Sequence, residues 1–255
     1  MSTIINFKPR ILGMICNWCC YGGADLCGVS RFQYPPYIRL IRVMCSARVD
    51  MVHILTAFST GQDAVFIGGC HLNDCHYITN GNYDALSMVT ICKKLLKHIG
   101  VNPDRLRLEW VSAGEGIRFA HIMNEFGREV EEFGPIGTSE GIDQNVLQLK
   151  LESAKKLVPY IRMVQTERIR VPHKSEEEYN RFFSSDEFDR LFNKLILDKL
   201  AISQIISTLA EKPLSTAEIS EKLGLTPSEA SRHINSSSRQ GLVRYDEGAK
   251  CFSIV

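Results

Sequence analysis

Cysteine is the residue type in this sequence whose number and spacing could do chemistry. The 255-residue chain contains nine cysteines, and eight of them fall between Cys16 and Cys92. Thiolates bind iron and zinc, whereas a closed set of disulfides would leave one of nine thiols over. The first residues lack a basic segment followed by a long apolar run, so we expect a cytoplasmic protein with reduced thiols. Such clustering indicates metal or cluster ligation ahead of thiol redox chemistry or inert burial.

The overall charge excludes one broad class of function. Lysine and arginine together number 30 and aspartate and glutamate number 29, which gives a formal net charge of +1. Total charge therefore does not indicate a strongly basic nucleic-acid-binding protein. Hydrophobic residues make up 44% of the chain, enough for a buried core. No stretch reaches the roughly 18 consecutive apolar residues that a membrane span needs, so we expect no membrane partner.

The elements that must position the cysteines alternate along the first 135 residues. Short apolar runs separate amphipathic stretches, a pattern that predicts an α/β fold with an open parallel, flavodoxin-like sheet. The predicted strands are 11–15, 38–43, 64–67 and 106–111, and the predicted helices are 23–32, 50–58, 82–99 and 115–133. Gly134 and Pro135 then end this part of the chain, because proline cannot continue a helix.

Five cysteines follow the carboxyl ends of predicted strands and are expected to lie on loops. They are Cys16 and Cys19 after the first strand, Cys45 after the second, and Cys70 and Cys75 after the third. In an open parallel sheet these loops converge on one edge, where ligands bind. The pattern therefore predicts one sulfur-rich site at the carboxyl edge of the sheet.

The other cysteines receive different interpretations. Cys27 and Cys92 fall inside predicted helices with small or apolar neighbours, so we expect them to fill the core. Cys251 is also interpreted as structural. Cys20 is ambiguous, because it adjoins Cys19 and adjacent residues rarely both point at one site, and it stays open only as a possible substitute for one of the five.

Residues beside the cysteines allow further hypotheses. Zinc is the alternative to an iron–sulfur cluster, because His71 and His76 adjoin Cys70 and Cys75 in a Cys2His2 set. Arg48 could offset a negative cluster or pair with Asp25 or Asp50. Backbone close to the sulfurs is expected at four glycines, namely Gly22, Gly23, Gly68 and Gly69.

The second half of the chain has a different pattern. We divide the sequence into an α/β domain over 1–135, a helical connector over 136–189 and a winged helix-turn-helix domain over 190–255. The connector contains a predicted helix over 144–164, with Pro159 near its end. The last part predicts a long helix over 188–209, a helix ending at Leu223, a helix over 227–240 and a two-stranded wing. Capping-box spacings at Ser215 and Thr226 support two of these helix starts.

A winged helix could bind DNA through its 227–240 helix. The candidate contacts in the major groove are Ser228, Arg232, His233, Asn235 and Arg239. Residues 197–255 contain seven basic and seven acidic residues, so this part attracts phosphate weakly. We therefore favour docking to protein over binding to nucleic acid.

Four ordered segments carry a resemblance to a known family. They read CNWCCYGGAD at 16–25, VMCSARVD at 43–50, GGCHLNDCHY at 68–77 and LRLEWVSA at 106–113. The sequence resembles the delta subunit of methyl-viologen-reducing hydrogenase (the MvhD family) over about residues 8–135. Cys20, Cys27 and Ala47 depart from the family's usual pattern.

The resemblance implies an iron–sulfur electron-transfer subunit, not itself catalytic, with one [2Fe-2S] cluster. Four of Cys16, Cys19, Cys45, Cys70 and Cys75 would be its ligands, with the last position open between Cys16 and Cys19. Such a subunit relays electrons between a partner oxidoreductase and the flavin subunit of a heterodisulfide-reductase-like, electron-bifurcating complex of anaerobes. FAD is expected on that partner subunit. The alternative function is a redox-sensing transcription regulator, with the cluster as sensor and the winged helix as DNA-binding output.

Overall fold

The computed structural model describes residues 7–255, which divide into two compact units. The first unit runs to Asp143 and also includes Val171–Arg181, a segment from much later in the sequence. The second unit comprises Gln144–Arg170 and Phe182–Val255. This two-unit division does not test the three predicted domains, so their boundaries near residues 135 and 190 stay a prediction.

The first unit is built on a four-stranded parallel sheet with the order β2-β1-β3-β4. Its strands are β1 (Ile11–Cys16), β2 (Ile38–Val43), β3 (Ala64–Gly69) and β4 (Leu106–Trp110). Its long helices are α1 (Cys19–Val29), α2 (Met51–Ser59), α3 (Asn82–Ile99) and α4 (Gly116–Phe133). The predicted open parallel α/β fold is confirmed.

Burial explains why these sequences form these strands. Every residue of β3 is buried, because this strand lies between β1 and β4, and its sequence is accordingly apolar throughout. β2 lies at one edge and has exposed residues along its length. Short 3-10 turns at Ser46–Arg48 and Pro103–Arg105 follow β2 and precede β4. Because all four strands are parallel, their carboxyl ends lie at the same edge of the sheet.

The first helix begins earlier than predicted. α1 starts at Cys19 instead of Gly23 and ends at Val29, so Cys19 and Cys20 lie in its first turn. The predicted helix starts at Gly23, and Gly22 and Gly23 are expected from the sequence to bring the backbone close to the sulfurs. They are contact points, since a Cβ on Gly22 would lie 2.8 Å from Ala113 Cβ. Close packing against the loop after β4 thus overrides the low helix propensity of glycine.

The second unit contains the predicted winged helix. Its helices are α5 (Gln144–Glu167), α7 (Asp186–Phe192), α8 (Asp198–Leu209), α9 (Thr216–Leu223) and α10 (Pro227–Arg239), and α6 (Glu176–Phe183) crosses the boundary of the units. The wing pairs β5 (Val243–Asp246) with β6 (Cys251–Ile254) in antiparallel fashion. Ser215 and Thr226 form the predicted capping boxes. The predicted long helix begins two residues early and contains a π-helical segment, Asn193–Leu197.

The helices in the described part of the chain are too short or too polar to cross a bilayer. None of them combines the length and the apolar character that a membrane span would require.

Candidate metal centre

The carboxyl edge of the sheet collects the five predicted cysteines. Cys70 directly follows β3, Cys75 lies in the loop before α3, and Cys45 immediately precedes the Ser46–Arg48 turn. Cys16 is the last residue of β1, and Cys19 is the first residue of α1. The expectation that all five occupy loops is therefore wrong for Cys16 and Cys19, because β1 is longer and α1 begins earlier than the sequence pattern indicates.

Cys16 and Cys70 form the closest sulfur pair. Their Sγ atoms lie 3.7 Å apart, and both residues are buried, with exposures of 1% and 2%. The hydrogen bond from the Cys70 thiol lowers the pKa of Cys16 to about 6. The same contact, together with burial, raises the pKa of Cys70. A thiolate at Cys16 is thus stabilised inside the fold, and thiolates are what a metal centre needs.

Backbone amides at the start of α1 reinforce the charge on Cys16. The Cys20 amide donates to Cys16 Sγ at 3.3 Å. Further amide hydrogen bonds, from Trp18 and Cys19, also lower the pKa of Cys16. Amide donors that surround a sulfur stabilise the thiolate and tune a bound metal centre.

Cys45 and Cys75 form a second pair. Burial raises the pKa of Cys45, and the neighbouring Cys75 raises it further. Cys19 lies within electrostatic range of Cys16 and Cys75, and its side chain hydrogen-bonds with Cys70. The arrangement is therefore two cysteine pairs with Cys19 as a fifth sulfur between them.

The sulfurs of the site lie in pairs, and the two neighbouring histidines have partners of their own. Within residues 7–255, no three His, Cys, Asp or Glu side chains converge closely enough to hold a single ion. The histidines of the zinc hypothesis have other partners. His71 Nε2 lies 2.7 Å from Glu115 Oε2, and His76 stacks on Trp18 with centroids 3.9 Å apart. Two pairs of thiolates suit a two-iron cluster, in which each iron binds two cysteines.

The glycine that approaches a candidate ligand was not singled out from the sequence. A Cβ on Gly81 would lie 2.5 Å from Cys75 Sγ, whereas a Cβ on Gly69 would contact Trp110 and Ser46. Of the four predicted glycines, only Gly68 faces a sulfur, since a Cβ added there would lie 2.3 Å from Cys20 Sγ. A Cβ added at Gly22 would instead contact Ala113, and one added at Gly23 would contact Ser112 and Val111, so the approach of their backbone to the sulfurs stays a prediction. The sequence signal that could have indicated this contact is Gly81, which directly precedes the predicted helix that starts at Asn82.

Asn82, the first residue of α3, was also missed. Its side-chain amide donates to the Cys70 carbonyl at 3.0 Å and to the His71 carbonyl at 2.6 Å. The residue is 2% exposed. Asn82 therefore fixes the backbone that carries Cys70 from the start of a rigid helix.

The remaining cysteines divide as follows. Cys20, Cys27 and Cys92 are completely buried, and Cys251 is partly buried in β6. Burial raises the pKa of Cys20 well above its ordinary value. The Cys20 side chain lies against Gly68 in the core, and the contribution of this residue to the site comes from its backbone amide.

The candidate DNA-contacting residues of α10 are not equally accessible. Ser228, Arg232, Asn235 and Arg239 are exposed, but His233 is buried at 6% exposure. The inclusion of His233 was therefore wrong, because its position in the helix turns it toward the core. Arg232 lies 3.4 Å from Asp198, which neutralises part of its charge.

Comparison with known proteins places the first unit in a family. Residues 11–134 match the family described as methyl-viologen-reducing hydrogenase, delta subunit. The iron-sulfur subunit of an F420-non-reducing hydrogenase from Archaeoglobus profundus is 46% identical over 130 residues, which cover 51% of this chain and 94% of that protein. The chain belongs to the methyl-viologen-reducing hydrogenase delta subunit family.

Other relatives contain this delta-subunit domain either as almost the whole protein or as a small part of a longer one. The vhc iron-sulfur subunit of an F420-non-reducing hydrogenase from Methanococcus voltae is 48% identical over 135 residues, covering 53% of this chain and 93% of that protein. A subunit of the ferredoxin/F420H2-dependent CoB-CoM heterodisulfide reductase from Methanosarcina acetivorans is 51% identical over 130 residues. The chain spans only 16% of the length of that reductase subunit. Residues 203–245 match the arsR family of bacterial regulatory proteins, in agreement with the winged helix.

Proposed function

We propose that this chain is an iron–sulfur electron-transfer subunit with one [2Fe-2S] cluster. It relays electrons between a partner oxidoreductase and the flavin subunit of a heterodisulfide-reductase-like, electron-bifurcating complex, and FAD resides on that partner. The observation that carries the proposal is the 3.7 Å approach of Cys16 and Cys70 beside a second pair, Cys45 and Cys75. The names of the relatives, which describe a hydrogenase iron-sulfur subunit and part of a heterodisulfide reductase, support it.

The two pairs suggest which residues hold the cluster. We assign Cys16 and Cys70 to one iron and Cys45 and Cys75 to the other, and we assign no iron to Cys19. When bound, the cluster accepts and donates single electrons. The amides at the start of α1 offset negative charge on the sulfurs, and the burial of Cys16, Cys45 and Cys70 excludes water.

Chemical analysis of the protein purified without oxygen tests the cofactor. We expect about two iron atoms and two acid-labile sulfides per chain and, after reduction, the paramagnetic resonance signal of a [2Fe-2S] cluster. A preparation of the folded full-length chain that lacks iron, sulfide and a reducible chromophore would contradict the proposal.

Isolation of the native complex tests the relay. We expect a flavin-containing subunit and an oxidoreductase to copurify with the tagged chain, and reduction of the donor to reduce the cluster before the flavin. Purification of the cluster-loaded chain without either partner from its own cells would contradict the relay. We also propose a location in the cytoplasm, which fractionation of the same cells before lysis of the cytoplasmic compartment would test.

A second candidate function is a redox-sensing transcription regulator. It is favoured by the arsR-family match and by the exposed positions of Arg232, Asn235 and Arg239 on α10. Residues 197–255 have no net charge, which weakens phosphate attraction and makes this the lesser candidate. Filter binding at near-physiological salt decides the matter. A cluster-dependent preference for any DNA over competitor would support regulation, and equal weak binding would remove it.

The domain organisation enters the proposal as predicted from the sequence. Residues 1–135 would carry the cluster, 136–189 would connect, and the winged helix over 190–255 would dock to protein within the complex. The match of the family to residues 11–134 supports the first of these boundaries.

A further inference from the structure

The outer edge of the sheet in the first unit is formed by β2. This strand pairs only with β1, so the backbone groups on its other side have no strand partner within residues 7–255. Its residues Arg39, Ile41 and Arg42 are exposed, and the side chain of Ile41 is 50% accessible. The chain then continues through Met44, which is 56% exposed, directly to Cys45. An open, partly apolar edge therefore leads into the cysteine site.

Positive charge concentrates on this edge. Residues 26–49 include no aspartate or glutamate and contain the arginines Arg31, Arg39, Arg42 and Arg48, all of them exposed. The pairing of Arg48 with Asp25 or Asp50 that we considered from the sequence is not formed. None of the four arginines has an ion-pair partner in the part of the chain that the structure describes. The whole chain has a net charge of only +1, so these four arginines form a local excess of positive charge.

A groove of about 520 Å³ lies between β2 and α1. Its walls include Tyr21, Leu40 and one exposed carboxylate, Asp25. Arg42 also lines the groove, with its guanidinium 4.4 Å from the centre of the Tyr21 ring. Arginine and aromatic side chains beside exposed apolar residues are the composition typical of protein interfaces. The groove thus adds a shaped apolar surface to the positive edge.

We infer that the β2 edge, with Arg39, Arg42 and Arg48, is the docking surface for a redox protein with an acidic surface. The unpaired arginines supply the charge complementarity, and the exposed Ile41 supplies an apolar contact. The redox nature of the partner rests on the proposed function, because β2 leads to Cys45. Such a partner would lie beside β2, next to the carboxyl end of the sheet where the cysteines are.

Two other roles are open to these arginines, namely protection of the edge strand against aggregation and binding of nucleic acid. The residues around the arginines argue against both. Charged residues on an edge strand can prevent edge-to-edge aggregation, but the exposed Ile41 and Met44 are poorly suited to that role. A nucleic acid would also be attracted by arginine, but four charges beside an apolar groove match a protein better.

Charge reversal in the full chain tests the docking surface. The probe is an oxidised acidic ferredoxin, and its dissociation constant is measured for the natural protein and for the double variant Arg39→Glu, Arg42→Glu. At low ionic strength we expect binding to weaken at least about tenfold, and at about 1 M salt we expect the difference to vanish. The matched control is Arg128→Glu, an exposed arginine on α4 and not on β2, with an expected change below about twofold.

Several results would overturn the inference. The inference fails if the natural protein does not bind ferredoxin, or if the double variant and the control lose ferredoxin binding equally. It also fails if the double variant loses only the binding of duplex DNA, or if its only change is self-association. Iron content and the reduced resonance signal are measured on the same samples. Absence of the cluster in the natural protein would overturn the proposed function, whereas a retained cluster with unchanged ferredoxin binding would overturn the docking surface alone.

Discussion

The Tyr83 hydroxyl donates a 2.9 Å hydrogen bond to Asn73 Oδ1, and Asn73 lies between Cys70 and Cys75. Asn73 has a φ of +68°, a left-handed conformation that asparagine tolerates better than most residues. The Tyr83 ring contacts Tyr179, with centroids 4.9 Å apart, and both rings are 5% exposed. A segment from far along the sequence therefore supports the loop that carries two candidate ligands.

Loss of the Tyr83 hydroxyl is predicted to loosen this loop. Tyr83→Phe keeps the ring and its contact with Tyr179 but removes the hydrogen bond to Asn73. A net hydrogen bond contributes about 1 kcal/mol, so hydrogen exchange of the amides in residues 70–81 should accelerate about fivefold. Exchange detected by mass spectrometry on the full chain measures the change.

The same loop supplies the control for this experiment. The Tyr77 hydroxyl has no hydrogen-bond partner among residues 7–255, and Tyr77→Phe should leave the exchange rates unchanged. Equal acceleration in both variants would show that the Tyr83 hydroxyl has no specific role.

The inner strands of the first unit could be predicted because β1 and β3 are short apolar runs, and the edge strands β2 and β4 could be predicted because large apolar residues recur between their charged ones. Strand ends were less accurate, and α1 was misplaced because Gly22 and Gly23 serve close packing, which local propensity does not report. The docking of Val171–Arg181 onto the first unit could not be predicted at all. That contact includes the Tyr179 ring against Tyr83 and a hydrogen bond from Lys174 to the Thr79 carbonyl, and nothing in the local sequence pattern indicates these distant partners.

The candidate site was predictable at the level of residue sets. Strand-end positions brought together five sulfurs, but they did not indicate how the sulfurs pair. The pairing depends on how deeply each sulfur is buried and on which backbone amides donate to it. The Cys20 amide, which donates to Cys16 Sγ, is an example. For the same reason Asn82 was missed, since its role depends on carbonyls that only the folded loop presents.

Substitution of the paired cysteines should remove the cluster. Cys45→Ser, Cys70→Ser and Cys75→Ser are each predicted to abolish the [2Fe-2S] resonance signal of the reduced protein, because each leaves an iron with one cysteine. Cys16→Ser should do the same. Cys19→Ser should keep the signal with an altered line shape, since Cys19 contacts Cys70 without belonging to a pair.

Cys92→Ser is the matched control for the ligands. Cys92 is completely buried in α3, away from the other sulfurs, so this variant should retain the full signal if it folds. Circular dichroism of every variant separates ligand loss from unfolding. A full signal in a folded Cys45, Cys70 or Cys75 variant would refute the assignment.

Arg105 is predicted to be the most sensitive charged residue of the first unit. Its side chain is 0% exposed and donates to Glu140 Oε1 at 2.6 Å. It also donates to Ser139 Oγ and to the carbonyls of Asp63, Phe133 and Gly134. Arg105→Ala would leave the mostly buried Glu140 carboxylate without its cationic partner and would remove the Arg105 donors from the three carbonyls, at a cost of about 3–5 kcal/mol in the free energy of unfolding. Urea unfolding measures the loss.

Two further variants make the Arg105 prediction specific. Arg105→Lys should recover only part of the stability, because one ammonium cannot reproduce the planar set of donors. Arg128→Ala removes an exposed arginine and should change stability by less than about 0.5 kcal/mol. A loss for Arg105→Ala no larger than that for Arg128→Ala would contradict the structural role of Arg105.

His233 in α10 is predicted to titrate below its ordinary range. Burial lowers its pKa, the nearby charge of Arg232 lowers it further, and Asp198 and Glu229 oppose the shift. The unfolded chain therefore binds a proton more readily, so stability should fall as the pH drops below about 6.5.

Nuclear magnetic resonance of the His233 ring in the full chain measures this titration, and two neighbouring charges test its cause. Asp198→Asn should move the midpoint lower, because it removes a negative charge 3.9 Å from His233 Nε2. Arg232→Gln should move the midpoint higher, because it removes the adjacent positive charge. A midpoint at or above about 6.5 in the natural protein, or shifts of the opposite sign, would show that burial and these charges do not control the proton on His233.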